Sequence, residues 1–231
     1  MTRNWWDDFL SLLFPAECAS CNQILETGEN VLCLECHMAL SAPIIYNAPY
    51  NSMEKLFWGK IKVEHTLACW QYQKHGRTQQ IIHAIKYKGN KQLGDLAGSY
   101  LAQALTFAPW VDKIDCIVPI PLHKERLRAR GYNQSEILAA QVSKATGKPL
   151  LTGLLCRQGE QGSQTNKNRS NRWKAIQGAF YLTNSDQLVD KHVLLIDDVV
   201  TTGATLEAAG TALLAIPSTK VSAATLCMAS I

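Results

Sequence analysis

Short, almost wholly apolar runs alternate along this chain with longer segments whose apolar residues recur every three to four positions, the pattern of strands alternating with helices. Three runs read as strands: Thr66–Tyr72 (TLACWQY), Cys116–Ile120 (CIVPI) and Val193–Ile196 (VLLI). A short apolar run bounded by charge, Gly or Pro is what a strand covered on both faces of a parallel sheet requires. Between the first two, Ile81, Ile82 and Ile85 mark one helical face, and Leu93, Leu96, Ala97, Tyr100, Leu101, Ala104 and Leu105 mark a second. Further helices open near Asn133 and at Thr205. At the N-terminus, Trp5, Trp6, Phe9, Leu10, Leu12, Leu13 and Phe14 have the spacing of a short amphipathic helix ended by Pro15. Residues 41–60 contain Pro43, Asn47, Pro49, Asn51 and Gly59 with no period, and read as a linker. The expected organisation is a helix and small module over 1–40, a linker over 41–60 and an α/β domain over 61–231.

The third strand leads into the densest chemistry of the chain, HVLLIDDVVTTGAT (His192–Thr205). Ligands of open α/β sheets bind beyond the carboxyl ends of strands, where Asp197 and Asp198 are expected to emerge. Thr201, Thr202, Gly203, Ala204 and Thr205 then offer backbone N–H groups and hydroxyls at a helix N-terminus, a cradle for a phosphate. Gly203 suits that cradle because a residue without Cβ lets backbone approach a phosphate closely or take φ > 0. Neither GxxxxGK[ST] nor GxGxxG occurs in the chain. The competing reading is a buried strand ending in a polar turn, with Asp198 capping the next helix. As a whole the fourteen residues resemble the 5-phosphoribosyl-1-pyrophosphate (PRPP) motif of type I phosphoribosyltransferases. That resemblance implies that the two acids hold ribose hydroxyls, often beside Mg²⁺, and that the Thr/Gly loop wraps the 5′-phosphate.

Near the N-terminus stand Cys18-x2-Cys21 and, after eleven residues, Cys33-x2-Cys36. Two CxxC knuckles complete a tetrahedral four-thiolate shell, which leaves no open position and so marks a structural Zn²⁺. An iron–sulfur cluster could use the same ligands, and a redox dithiol pair is a weaker alternative. His37 adjoins the set but is not needed by it. Cys69, Cys116, Cys156 and Cys227 lack metal spacing and mostly sit in apolar runs, as packing residues do.

Beyond the second strand, Pro121 ends the apolar run and Lys124, Arg126, Arg128 and Arg130 follow before Gly131. Cations at a strand's C-terminal end suit a polyanion, where arginine forks bind bidentately; a solvated charged turn is the alternative. The segment VPIPLHKERLRARGYNQ resembles the VPVPLxxxRxxxRGFNQ signature of the ComF/GntX family, phosphoribosyltransferase-like proteins associated with competence and DNA uptake. The resemblance runs from LLFPAEC to LIDDVVTTGAT and also covers the four-cysteine module. It implies a type I phosphoribosyltransferase-like parallel sheet flanked by helices, with Lys124, Arg126 and Arg130 gripping pyrophosphate. In the polar segment Arg157–Trp173, expected to be a loop closing over the ligand, an R…SQT…R stretch precedes a GAF-like strand at Gly178–Phe180. Gln161 and Ala175 depart there from the family's Thr and Asn.

With 47% hydrophobic and 18% charged residues the composition is that of an ordinary globular protein. No apolar run is long enough to span a bilayer, and the acids in MTRNWWDDFL break any signal-peptide core, so a cytoplasmic location is expected. The net charge is +4, yet Lys113–Lys174 holds twelve Lys/Arg against four Asp/Glu. That local excess could serve PRPP alone or also attract single-stranded DNA, with Tyr132 and Trp173 as candidate stacking surfaces. A catalytic base is missing: purine-using relatives often carry an acid where this chain has Thr201, which cannot accept a proton at neutral pH. His123 is the nearest candidate. Two classes of function follow: phosphoribosyl transfer to an unidentified acceptor, or a non-catalytic factor of natural transformation that binds PRPP or single-stranded DNA and docks on a competence helicase.

Overall fold

A computed structural model describes residues 15–41, 49–157 and 179–229. Four parallel strands form the central sheet: β1 (Thr66–Tyr72), β2 (Cys116–Pro119), β5 (His192–Val200) and β6 (Lys220–Ala229), in the spatial order β1-β6-β5-β2. Both faces are buried, and alternate residues feed two separate cores. Ile117, Leu194, Ile196 and Leu226 enter one, while Val118, Val193, Leu195 and Val221 enter the other.

The first core is roofed by three helices, α3 (Arg77–Tyr87), α4 (Lys91–Thr106) and α6 (Gln134–Thr146). α4 and α6 approach closely because α4 carries Gly98 at the crossing, where a Cβ would lie 2.8 Å from Gln141 and 3.2 Å from the Leu138 backbone. The second core lies under α7 (Ala204–Leu214) and under an antiparallel ribbon of β3 (Leu155–Arg157) and β4 (Phe180–Leu182).

Chain direction decides where a ligand can sit. From β2 the chain crosses through α6 and returns as a single parallel bridge, Ile117 to Leu150, on the outer side of β2. From β5 it crosses through α7 to β6, the other way, and over the opposite face. The adjacent pair β2 and β5 therefore diverges at its carboxyl ends, which opens the crevice where doubly wound sheets bind ligands.

The N-terminal cysteine module includes α1 (Leu34–Ser41) and is not insulated from the sheet. Cys18, Leu32, Cys33, Cys36 and Leu40 share the first core with Leu67, Trp70 and Ile81. The Trp70 indole N–H donates to the Leu40 carbonyl at 3.0 Å, and Arg77 pairs with Glu35 at 3.2 Å. The stretch expected as a linker is likewise built in over its described part. Asn51 caps α2 (Ser52–Lys55) by accepting from the Glu54 N–H, and it also accepts from the Thr66 hydroxyl at 2.9 Å. Met53, Leu56 and Phe57 are buried in the second core. The N-terminal apolar helix expected over residues 5–14 and the loop expected up to Trp173 lie outside the described residues.

Candidate functional site

Asp197 and Asp198 lie inside β5, not beyond it. Pairing with β6 continues past them to Val200, and the two residues are only 9% and 5% exposed. Two adjacent buried carboxylates need compensation, and the neighbouring helices supply it. The Ser135 hydroxyl, on the first turn of α6, donates to Asp197 Oδ1 at 3.0 Å, and the Asp198 N–H donates to the same oxygen at 2.9 Å. Burial, with the Asp198 charge second, nevertheless pushes the Asp197 carboxyl up to about 7. Asp198 Oδ2 makes no directional hydrogen bond among the described residues; its counterpart is the Lys86 ammonium, 2.8 Å away.

Lys86 stands in the last turn of α3, a placement the helix dipole alone would explain from sequence. Its partner is set by tertiary packing, so no local pattern pointed to it. Ser135 was equally hidden, as one hydroxyl in the first turn of a helix.

Three residues after Val200, Gly203 adopts φ +80° and leads into α7. A Cβ there would lie 3.2 Å from Leu56 Cβ and 3.3 Å from Phe57 Cε1, so the expected linker residues form the wall that fixes this turn. Thr201, Thr202 and Ala204 are exposed, Thr205 is half-buried and Gly203 is buried. Among the described residues no side chain caps α7 closely; the nearest is the Thr202 hydroxyl, 3.5 Å from the Ala204 N–H. The first N–H groups of an eleven-residue helix thus face outward with hydroxyls beside them.

The basic segment differs from expectation. Lys124, Arg126, Arg128 and Arg130 lie on a seven-residue helix, α5 (Lys124–Arg130), instead of an open loop. His123 precedes α5 and Gly131, at φ 80°, ends it. Lys124, Arg126 and Arg128 are exposed. Arg130 turns inward, donates to the Gln134 side chain and lies 5.5 Å over the Tyr87 ring. Gln134 precedes Ser135, the residue whose hydroxyl donates to Asp197. His123 faces Glu125 at 3.9 Å. Tyr132, a candidate stacking surface, donates its hydroxyl to the Ile85 carbonyl beneath Lys91, 5.6 Å from its ring. Tyr87, not singled out from sequence, is 70% exposed. Trp173, Gln161 and Ala175 lie outside the described residues.

The sulfur atoms of Cys18, Cys21, Cys33 and Cys36 all lie within 4.8 Å of one another, and Cys21 and Cys33 are 3.6 Å apart. A tetrahedral Zn–S bond of about 2.3 Å sets sulfurs about 3.8 Å apart, so the donor set fits the metal. All four are free thiols. The Cys33 N–H donates to the Cys18 sulfur at 3.3 Å. Burial opposes ionisation of Cys18, but the N–H groups of Cys21, Cys33 and Ser20 outweigh it and hold the thiol at about 7. Burial pushes Cys36 up to about 12, so a thiolate at that position would need a cation beside it. His37 stays outside the set and meets the Tyr100 hydroxyl at 2.7 Å.

A divergent pair of parallel strands, an acid pair at its carboxyl end and an open helix N-terminus after a tight glycine turn define a phosphoribosyltransferase-type domain. Accordingly, the phosphoribosyl transferase domain family model matches residues 134–230. The competence protein ComFC of Streptococcus pneumoniae is 34% identical over 193 residues, covering 79% of this chain and 81% of that protein. ComFC of Bacillus subtilis is 26% identical over 211 residues, 89% and 81% of the two chains. Competence protein F of Haemophilus influenzae is 34% identical over 93 residues, a match spanning only 41% of its length. The chain belongs to the ComF family of phosphoribosyltransferase-like competence proteins. No helix among the described residues is long and apolar enough to cross a membrane.

Proposed function

We propose that the protein binds PRPP at the carboxyl ends of β2 and β5 and acts in DNA uptake during natural transformation. The observation that carries the reading is the open N-terminus of α7, held by the Gly203 turn directly after the buried pair Asp197 and Asp198. In this reading the N–H groups and hydroxyls of Thr201, Thr202, Gly203, Ala204 and Thr205 bind the 5′-phosphate. Asp197 and Asp198 receive the ribose hydroxyls, and Lys124, Arg126 and Arg130 face the pyrophosphate. Mg²⁺ bound with PRPP would neutralise the departing pyrophosphate, and Zn²⁺ on the four cysteines would be structural. The competence role rests on the names of the relatives, and the cytoplasm is the compartment where PRPP and free thiols would meet it.

Transfer itself needs a group to deprotonate the acceptor, and Thr201 cannot act as one. His123 is the candidate, on the basic helix's first residue boundary. The test is calorimetric titration with PRPP and Mg²⁺, followed by a pyrophosphate-release assay over a panel of acceptors. Saturable binding that Gly203→Val abolishes supports the site, and no binding by the zinc-loaded protein overturns it. Release with any acceptor would assign a phosphoribosyltransferase activity; silence across the panel favours a binding role.

A second reading is favoured by the exposed Tyr87 ring under Arg130, beside Lys88 and α5. This surface combines a stacking face with cations, as single-strand binders do, and suits a factor that hands DNA to a competence helicase. A gel shift near physiological salt, lost in Arg126→Ala/Arg130→Ala, tests it; no shift at that salt would overturn direct DNA binding.

A further inference from the structure

We infer that Lys86 is a built-in counter-cation of the ribose site, so that the acid pair receives a ribose 5-phosphate group without a divalent ion on its carboxylates. The inference rests on the ribose-phosphate reading above and adds a positioning residue to it.

The charges at the pair are the starting point. Asp197 and Asp198 are adjacent in sequence and buried, and the Asp198 charge adds to burial in raising the cost of ionising Asp197. Left alone, such a pair would recruit a proton or a cation from solvent. The fold instead brings one from α3. Lys86 Nζ lies 2.8 Å from Asp198 Oδ2, with the lysine side chain 23% and the aspartate side chain 7% exposed. Screening by solvent is weak at such a site, unlike that of a surface ion pair.

Part of the pair's acceptor capacity is already taken by the protein's own donors. Asp197 Oδ1 already accepts from Ser135 and from the Asp198 N–H. Among the described residues, the only set of three or more His, Cys, Asp or Glu placed to share an ion is the four-cysteine cluster. A small divalent cation joining the pair would have to displace the ammonium from Asp198 or sit within a few ångströms of it, where like charges repel strongly. An ammonium also does part of what such an ion does for a hydroxylated ligand: its charge favours the ionised form of Asp197 against burial and leaves other lone pairs for hydroxyl donors. The placement follows from how α3 is seated. Its first turn is tied to the cysteine module through Arg77–Glu35 at 3.2 Å, and Ile81, Ile82 and Ile85 are buried against the sheet.

Ribose 5-phosphate is the discriminating probe, because it lacks the pyrophosphate that would carry its own Mg²⁺. Zinc-loaded full-length protein is titrated with it calorimetrically, in Mg²⁺ and in Mg²⁺-free buffer, alongside PRPP. Wild-type affinity for ribose 5-phosphate should change less than about 2-fold between the two buffers. Lys86→Met should lose about 10-fold or more without Mg²⁺ and regain part of it with Mg²⁺, while Lys86→Arg stays within about 3-fold of wild type; each factor of ten is about 1.4 kcal/mol. A merely structural lysine would not create a new Mg²⁺ dependence. Wild-type binding that requires Mg²⁺, or a folded Lys86→Met that binds like wild type, overturns the inference while leaving the ribose-phosphate site standing. Failure of wild type to bind either ligand in either buffer overturns both. Should Lys86→Met not fold, the wild-type comparison and Lys86→Arg still decide.

Discussion

At the scale of single residues, Gly203 and Asp197 carry opposite kinds of expense. Gly203 joins a left-handed φ to a wall 3.2–3.3 Å from where a Cβ would stand. Gly203→Ala should therefore lower stability by about 1–3 kcal/mol, read as a fall in the urea midpoint with an unchanged slope, and should weaken ribose 5-phosphate binding. Asp197 holds its proton up to about 7 against an ordinary 3.8. The folded state thus binds more protons than the unfolded state between those values. That favourable term is complete below about 3.8, falls as pH rises, and is gone above about 7. Asp197→Asn keeps an acceptor for Ser135 but never ionises. The melting temperature of the variant minus that of wild type should grow more positive from pH 5 to pH 8; a difference flat across that range would show that Asp197 is not the strained group. The acid pair and the glycine were legible in the sequence because they are contiguous. Lys86, more than a hundred positions away in the chain, was not, since a helix-terminal lysine looks the same whether it meets water or a buried carboxylate.

At the scale of elements, a periodic segment declares itself in the sequence, and a segment in which packing overrides a local break does not. β1, β2, α3 and α4 follow their apolar patterns. β5 runs on through two charges because Ser135 and Lys86 make the interior tolerable for them, information that lies in α6 and α3. The Pro- and Gly-bearing segment after residue 48 looks aperiodic, yet Met53, Leu56 and Phe57 are buried because three apolar residues suffice to fill the space beneath the Gly203 turn. α5 was expected as loop because its charges hide any apolar face, and among its residues none is buried. Its exposed cations give a test at their own scale. If α5 tracks nucleic-acid phosphates, Arg126→Ala should reduce the slope of log K against log salt for single-stranded DNA by about 0.7, the value expected for one lost contact. Arg130→Ala should lower the affinity as well as the slope, because Arg130 also lies over the Tyr87 ring and donates to Gln134. A slope unchanged in Arg126→Ala would remove α5 from the DNA-binding surface.

At the scale of the whole molecule, the cysteine module belongs to the packing that holds α3, and with it Lys86, beside the acid pair. Four cysteines in two knuckles announced a metal module, but nothing in their spacing said whether it is a separate bead or part of the main core. Cys18, Cys33 and Cys36 share that core with β1, α3 and α4, and the last turn of α3 holds Lys86. Structural zinc contributes on the order of 10 kcal/mol to small modules, comparable with the roughly 5–15 kcal/mol that stabilises a whole domain. If only about 5 kcal/mol of this reached the shared core, a chain of this size would lose about 10–20 °C in melting temperature. Removing the metal with a high-affinity chelator under reducing conditions should therefore release one zinc per chain and shift a single cooperative calorimetric transition downward. A module that melted by itself would instead give a new low-temperature transition and leave the main one in place. Titration with ribose 5-phosphate supplies the second readout: on the shared-core account any affinity falls together with stability, because α3 loses its Arg77–Glu35 anchor and Lys86 with it loses a fixed position. Unchanged affinity in the metal-free protein would mean that the sheet alone holds α3 in place.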